Sequence, residues 1–299
     1  MLDFRLKVFQ SVAHNLSFTK ASNELFITQP AITKHIKELE SEFEVKFFDR
    51  VGNKIILTEA GSVLLSYADH IFSLHNELKF ELSQLKGNLE GNLRLGASTT
   101  IAQYVIPSAL ATFVDRFPEI TLSLTNGNTE DIEQRLLKHE IDIGIVEGKP
   151  TNSDIRYTPF LNDELLVFTS AQNTIFPNSI SNDEFIKLPL ILRERGSGTL
   201  EIIEKSLKHY HISPKSLNVL LYLGSTEAIK SFIKTGNGVG IVSRFAIEQE
   251  LSSNIFRLIN TPSLKFHRQF YFISPQGPEP VGIVKSFLHF LQRHYNLSL

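Results

Sequence analysis

Three short stretches of the chain place polar side chains where they could hold phosphate, DNA bases or a small anion. In the first, Thr28-Gln29-Pro30-Ala31-Ile32-Thr33-Lys34, Thr28 is of N-cap type and Pro30 falls in the first turn, where its missing N–H costs nothing. A helix start offers free N–H groups to a phosphate, short side chains let it seat deeply, and a glutamine there can read adenine two-fold. The other two, Ala97-Ser98-Thr99-Thr100 and Gly196-Ser197-Gly198-Thr199, read as strand-to-helix turns presenting hydroxyls and N–H groups. Such turns are ready anion sites, and ordinary capping accounts for either alone just as well. Their occurrence in separate halves of one segment fits a cleft that grips a small anion from both sides, with Arg193 and Arg195 beside the second turn.

Catalytic constellations find no support. The chain has no cysteine, which excludes disulfides, thiolate zinc sites and cysteine nucleophiles. Ser197 lies between two glycines, but Arg195 breaks the Gly-x-Ser-x-Gly elbow. The ten histidines are scattered, and the tightest pair, His209 and His211, does not share a helix face. No His/Asp/Glu cluster has metal-ligand spacing, so no cofactor is expected. Gly236-Asn237-Gly238-Val239-Gly240 follows a helical stretch and precedes a strand, the reverse of a dinucleotide loop, and reads as a helix stop.

The elements that must position the first stretch are short helices. Phe4, Val8, Phe9 and Val12 have helical spacing over residues 2–13, and Ser17 is the expected N-cap of a second helix through Leu25. Gln29 to about Ser41 forms a third, with Ala31, Ile32, Ile36 and Leu39 inward. Two short helices this close must cross at a large angle, as in a helix-turn-helix. Apolar β-formers on both sides of Gly52-Asn53 predict a small hairpin, or wing. Thr58-Glu59-Ala60-Gly61 then opens a helix to about Lys86, with Ala60, Leu64, Tyr67, Ile71, Leu74, Leu78, Leu82 and Leu85 in a near-heptad seam. A seam that long packs on another helix, and a two-fold partner copy is preferred over the chain's own domain.

Gly87-Asn88-Leu89-Glu90-Gly91-Asn92 has two glycines and no periodicity, and reads as a hinge. Beyond it, strand-like stretches (93–97, 120–125, 141–147, 165–170, 188–192, 219–223, 239–243, 270–274) alternate with helical ones. That order predicts an α/β region with mainly parallel sheets in two lobes.

Charge alone argues against a nucleic-acid binder. The 299 residues carry a net −2, and residues 1–60 hold eight Lys/Arg against eight Asp/Glu. Local placement must therefore carry the case: Lys34 and Lys37 precede Glu38, Glu40, Glu42 and Glu44, and Lys20, Arg50 and Lys54 are natural phosphate contacts. The charged N-terminal residues do not resemble a secretory signal and no stretch is long and apolar enough to span a bilayer, so a soluble cytoplasmic protein is expected.

Taken as one unit, Gln29-Pro30-Ala31, Leu39-Glu40, Phe47-Phe48-Asp49-Arg50 and Leu57-Thr58-Glu59-Ala60-Gly61 closely resemble the LysR-type transcriptional regulators. Those proteins have a Gln-Pro-Ala opening of the recognition helix, a Leu-Glu pair, a Leu-Phe-x-Arg wing and a Leu-Thr-x-x-Gly linker start. Ser22 replaces a usual alanine, Phe43-Glu44 the usual Leu-Gly, and Phe47 a usual leucine. The resemblance implies a winged helix-turn-helix over 1–58, a dimerising linker helix over 59–87 and an effector-binding domain over 92–299. That domain would comprise two periplasmic-binding-protein-like α/β lobes, about 92–162 with 265–299 and about 163–264. It implies an inducer held by Ser98, Thr99 and Thr100, with Thr129, Ser197, Gly198 and Thr199 as further candidates and Ser225 and Thr226 behind them. It also implies tetramers built as dimers of dimers. A solute-binding protein with a docking head and an α/β enzyme with a regulatory head are the rival readings. The first lacks an export signal and the second lacks a catalytic constellation.

Overall fold

Asp3, Ser17 and Thr28 each have an extended backbone conformation, accept a backbone N–H with the side chain, and start a helix. These are α1 (Phe4–Asn15), α2 (Phe18–Leu25) and α3 (Gln29–Phe43) of a computed structural model that describes residues 3–52, 54–85, 90–148 and 150–295. The chain divides into two compact units, Met1–Leu82 and Ser83–Leu299.

In the first unit, Val8, Phe9, Val12, Ala21, Ile32, Ile36, Leu39 and Phe47 form the core. The predicted wing is an antiparallel hairpin of β1 (Phe48–Val51) and β2 (Lys54–Leu57), with Phe48 opposite Leu57. The long helix α4 (Glu59–Leu85) begins on a tight knot. The Thr58 hydroxyl donates to the Lys46 carbonyl at 2.6 Å and accepts from the Gly61 N–H at 2.9 Å. A side-chain carbon on Gly61 would run into the Phe47 carbonyl, so the Leu-Thr-x-x-Gly spacing is what lets the helix approach the strand. The predicted seam divides along its length. Ala60 and Leu64 pack on the head's own core, while Tyr67, Ile71, Leu74, Leu78 and Leu82 are exposed. Leu85's side chain, residues 86–87 at the end of the expected linker and the 87–89 part of the expected hinge lie outside the described residues, and Gly91-Asn92 begins a strand.

The second unit alternates as expected. In order come β3 (Gly91–Ser98), a π-helical turn (Ile101–Val105), α5 (Pro107–Arg116), β4 (Ile120–Gly127), α6 (Thr129–Leu137), β5 (Ile143–Glu147) and β6 (Ile155–Ser170). Then follow α7 (Asn182–Phe185), β7 (Leu190–Arg193), α8 (Gly198–His209), β8 (Val219–Leu223), α9 (Thr226–Thr235), β9 (Val239–Ser243), α10 (Arg244–Ser252), β10 (Phe256–Leu258), β11 (Phe266–Pro275) and α11 (Gly282–His294).

The sheet runs β4-β3-β5-β11-β6-β9-β7-β8, with β10 beside β6. Its two ends are parallel (β3 with β4 and β5; β7 with β8 and β9). Its middle is antiparallel, because the long strands β6 and β11 pair with each other and with both ends. The expectation of mainly parallel sheets therefore holds for the ends and not for the centre. Separate apolar clusters lie on the two sides of these strands, one around Leu95, Phe113 and Phe287 and another around Leu190, Ile203 and Ile241. The fold thus has two α/β halves joined by two crossing strands.

Candidate nucleic-acid interface and effector cleft

At the start of α3, Thr28 caps the helix by accepting from the Ala31 N–H at 3.4 Å, and Gln29 and Pro30 are exposed. Gln29 shares a groove of about 340 Å³ with Leu16, Ser17, Phe18, Thr19, Arg50, Lys54 and Ile55. The structure therefore brings the expected base-reading glutamine together with two wing cations. Thr19 stands beside it, its hydroxyl 3.5 Å from the Gln29 amide oxygen.

The remaining expected contacts are less uniform. Lys20 and Lys37 are exposed, whereas Ala31 and Thr33 are half-buried. The Thr33 hydroxyl bonds back to the Gln29 carbonyl at 3.0 Å, so one of its hydrogen bonds is spent within the helix. Lys34 is not fully segregated from the downstream acids, since its Nζ lies 3.8 Å from Glu38. That pair is long and highly exposed, and such pairs contribute little. Ser17 and Thr19 were not singled out as groove residues, because a cap and an exposed threonine on α2 carry no signal of their own.

The cleft residues converge on a carboxylate that sequence reasoning passed over. Glu147 ends β5, a strand buried along its whole length, and its side chain is itself buried. Ser98, the last residue of β3, and Thr100, in the turn after it, donate to it, the latter at 3.4 Å. Thr199, in the first turn of α8, donates to the same oxygen at 3.4 Å, and Arg268 on β11 lies 3.4 Å from it. Thr129 donates to the Glu147 backbone carbonyl at 2.9 Å, while the cap of α6 is Asn128. Arg268 also donates to Asp163 on β6 at 2.7 Å and to Thr199 at 2.9 Å, and Asp163 accepts from Ser243 at 2.9 Å. Both halves and both crossing strands thus contribute to one buried polar network.

Backbone geometry explains the glycine beside it. A side-chain carbon on Gly198 would strike the Glu147 carbonyl, so only glycine allows the start of α8 to reach the end of β5. Two further contacts bridge the halves. The Glu130 N–H donates to the Gly196 carbonyl at 3.4 Å, and the Tyr104 hydroxyl donates to the Glu227 carboxylate. Burial, and then that carboxylate, push the Tyr104 phenol well above its usual range. Burial would raise Glu227, but hydrogen bonds from Lys230 and Tyr104 outweigh it and hold the carboxyl low.

Other expected cleft residues are engaged elsewhere. Thr99 donates to the Gly127 carbonyl at 3.0 Å, and the Ser197 hydroxyl caps α8 by accepting from the Thr199 N–H. Ser225 caps α9, and Thr226 accepts from Arg193 at 3.4 Å. Arg193 is buried and forms a two-fold pair with Glu194 at 2.8 and 2.9 Å, so its charge is neutralised locally. Arg195 is exposed. Among the described residues, no group of three His, Cys, Asp or Glu side chains could hold a metal, and no helix is long and apolar enough to cross a membrane.

A winged helix-turn-helix head together with a two-halved α/β domain joined by a buried polar network is the architecture of a one-component transcriptional regulator. Residues 4–62 match the family model for the bacterial regulatory helix-turn-helix protein, lysR family, and residues 86–296 match that for the LysR substrate binding domain. The chain is 32% identical to the HTH-type transcriptional activator CmpR of Synechocystis sp., covering 97% of this chain and 94% of that one. It is 33% identical to a probable RuBisCO transcriptional regulator of Thalassiosira pseudonana, over 88% of both chains. Its fold matches the regulatory domain of Synechocystis CcmR, solved in complex with 2-PG, at TM-score 0.61 and 28% identity, over 68% of this chain and 96% of that one. The chain belongs to the LysR family of transcriptional regulators. It is an effector-controlled DNA-binding regulator and not an enzyme.

Proposed function

We propose that two copies of the chain pair through α4 and present two α3 helices to a pseudo-palindromic duplex. The observation that carries this reading is the exposed stripe Tyr67, Ile71, Leu74, Leu78 and Leu82, between 38% and 66% exposed on one helix. Large apolar side chains in a contiguous exposed row mark an interface. A closed two-fold pairing would place the two recognition helices on one side of the duplex.

Within each head, Gln29 reads a base edge at the start of α3. Thr28, Pro30, Ala31 and Thr33 let that helix seat against the groove, and Lys20, Lys34, Lys37, Arg50 and Lys54 contact phosphate. Residues 1–58 act as the reader, 59–87 as the dimerising linker and 92–299 as the effector domain, its halves falling at about 92–162 with 265–299 and 163–264. Pairs of dimers then form tetramers, and the protein works in the cytoplasm.

A small anionic effector binds between the halves, at Ser98, Thr99, Thr100, Thr129, Ser197, Gly198 and Thr199, with Ser225 and Thr226 as secondary contacts. The relative solved with 2-PG in its regulatory domain supports a small-molecule ligand. Binding shifts the population of closed clefts and so the spacing of the heads, altering DNA bend or contact with RNA polymerase. A gel-shift with duplex from upstream of the protein's own gene, with and without candidate anions, tests the reading. Retarded complexes that respond to one anion support it, and indifference to sequence and anion alike contradicts it.

A further inference from the structure

The hydroxyls that would grip an anionic effector are already gripping an anion. Ser98 donates to one Glu147 oxygen, while Thr100, Thr199 and Arg268 converge on the other, each 3.4 Å away. Thr129 holds the same residue by its backbone carbonyl at 2.9 Å. These donors come from the end of β3, the turn after it and the start of α6 on one side, the start of α8 on the other, and the crossing strand β11. A carboxylate in this position does what a bound ligand would do: it ties the two halves together.

The charges make simultaneous occupancy unfavourable. The buried network holds two carboxylates, Glu147 and Asp163, against one guanidinium, Arg268. A further anion placed at the same donors would face two like charges in a low-dielectric interior. The network nevertheless keeps a spare donor. Arg268 Nη2 is buried and has no hydrogen-bond partner among the described residues, an uncommon state for a charged group.

We infer that Glu147 is a built-in occupant of the effector cleft, and that the external ligand is a small carboxylate or similar oxyanion that takes the same donors only by displacing it. The inference rests on the effector reading above and adds what that ligand must compete with. Affinity for any such ligand is lowered by the free energy needed to move Glu147 out, so the regulator responds only when the ligand is abundant. Removing the side chain leaves a cradle of the shape and charge that acetate fills.

The test is calorimetric titration of acetate into the full chain, comparing wild type with Glu147→Ala and Glu147→Gln, and circular dichroism to verify folding. Acetate should bind the alanine variant at least about 10-fold more tightly than wild type, a gain of about 1.4 kcal/mol. The glutamine variant, whose side chain still fills the cradle, should show no such gain. Equal acetate affinity in wild type and the alanine variant, or no saturable binding to a folded alanine variant, overturns the inference. Glu147→Ser, which leaves a hydroxyl facing the donors, carries the same comparison if the alanine variant does not fold. Failure here leaves the effector reading intact, because that reading is tested separately by whether an effector changes DNA affinity and whether Ser98→Ala with Thr199→Ala abolishes the change.

Discussion

The Arg268 guanidinium donates to Asp163 at 2.7 Å, and both side chains are sealed from solvent. One residue lies on each of the two strands that cross between the halves, so this pair stands at the junction of the effector domain. Removing one partner of a buried ion pair leaves the other charge uncompensated, at a cost of about 3–5 kcal/mol. Arg268→Met should therefore strongly lower stability in urea unfolding. Asp163→Asn combined with Arg268→Met should cost less than the sum of the single changes, since the two residues share one network.

Gly61 offers a prediction of unusual sign. Replacing a helical glycine by alanine ordinarily stabilises by about 0.5–1 kcal/mol. Here the added carbon would meet the Phe47 carbonyl and approach Leu57 Cδ2 at 2.9 Å. Gly61→Ala is expected to destabilise by about 1–3 kcal/mol, as overpacking does, and thermal unfolding reads the sign directly.

Glu44 provides the converse. It ends α3 in the left-handed region at φ 55°, its N–H donating to the Glu40 carbonyl, a conformation that favours glycine. Relief of the left-handed penalty, offset by the greater freedom of glycine in the unfolded chain, should leave Glu44→Gly more stable by up to about 1 kcal/mol. Denaturant midpoints at unchanged slope measure it.

The exposed stripe on α4 predicts association behaviour. Leu74 is 62% exposed in the single chain, so Leu74→Glu should shift folding stability by no more than about 0.5 kcal/mol. It should nonetheless lower the assembly state in sedimentation velocity, and a variant that keeps wild-type assembly contradicts pairing through this face.

Much of the head is legible in the chain because each signal there is local. Ser17 and Thr28 cap the helices they were expected to cap, Pro30 sits in the first turn of α3, and the Gly52 turn closes the wing. The antiparallel centre of the large sheet is hidden for a physical reason. Strand β6 begins ten residues before its apolar part, in Ile155–Glu164, where polar residues break the pattern yet pair with β11. Arg268 falls in the corresponding early part of β11 and was missed with it. The cleft hydroxyls are legible as strand-to-helix turns. Glu147 is not, because one acid at the end of an apolar strand looks like the start of a loop, and the partners of its side chain are 47 to 121 residues away. The Arg193 charge is legible in the chain, but its neutralisation by the adjacent Glu194 depends on side-chain geometry that the sequence does not show.

Gln29, Arg50 and Lys54 line one groove and have different tasks, base reading for Gln29 and phosphate contact for the two cations. The most direct test is DNA binding by fluorescence anisotropy as a function of salt, using upstream and random duplexes with wild type, Gln29→Ala and Lys54→Ala. Gln29→Ala should remove about 1–3 kcal/mol of preference for the upstream duplex while leaving the salt slope unchanged. Lys54→Ala should weaken both duplexes alike and reduce the slope by about 1. Equal, salt-independent effects of the two substitutions on both duplexes would contradict the assignment of α3 and the wing as the DNA reader.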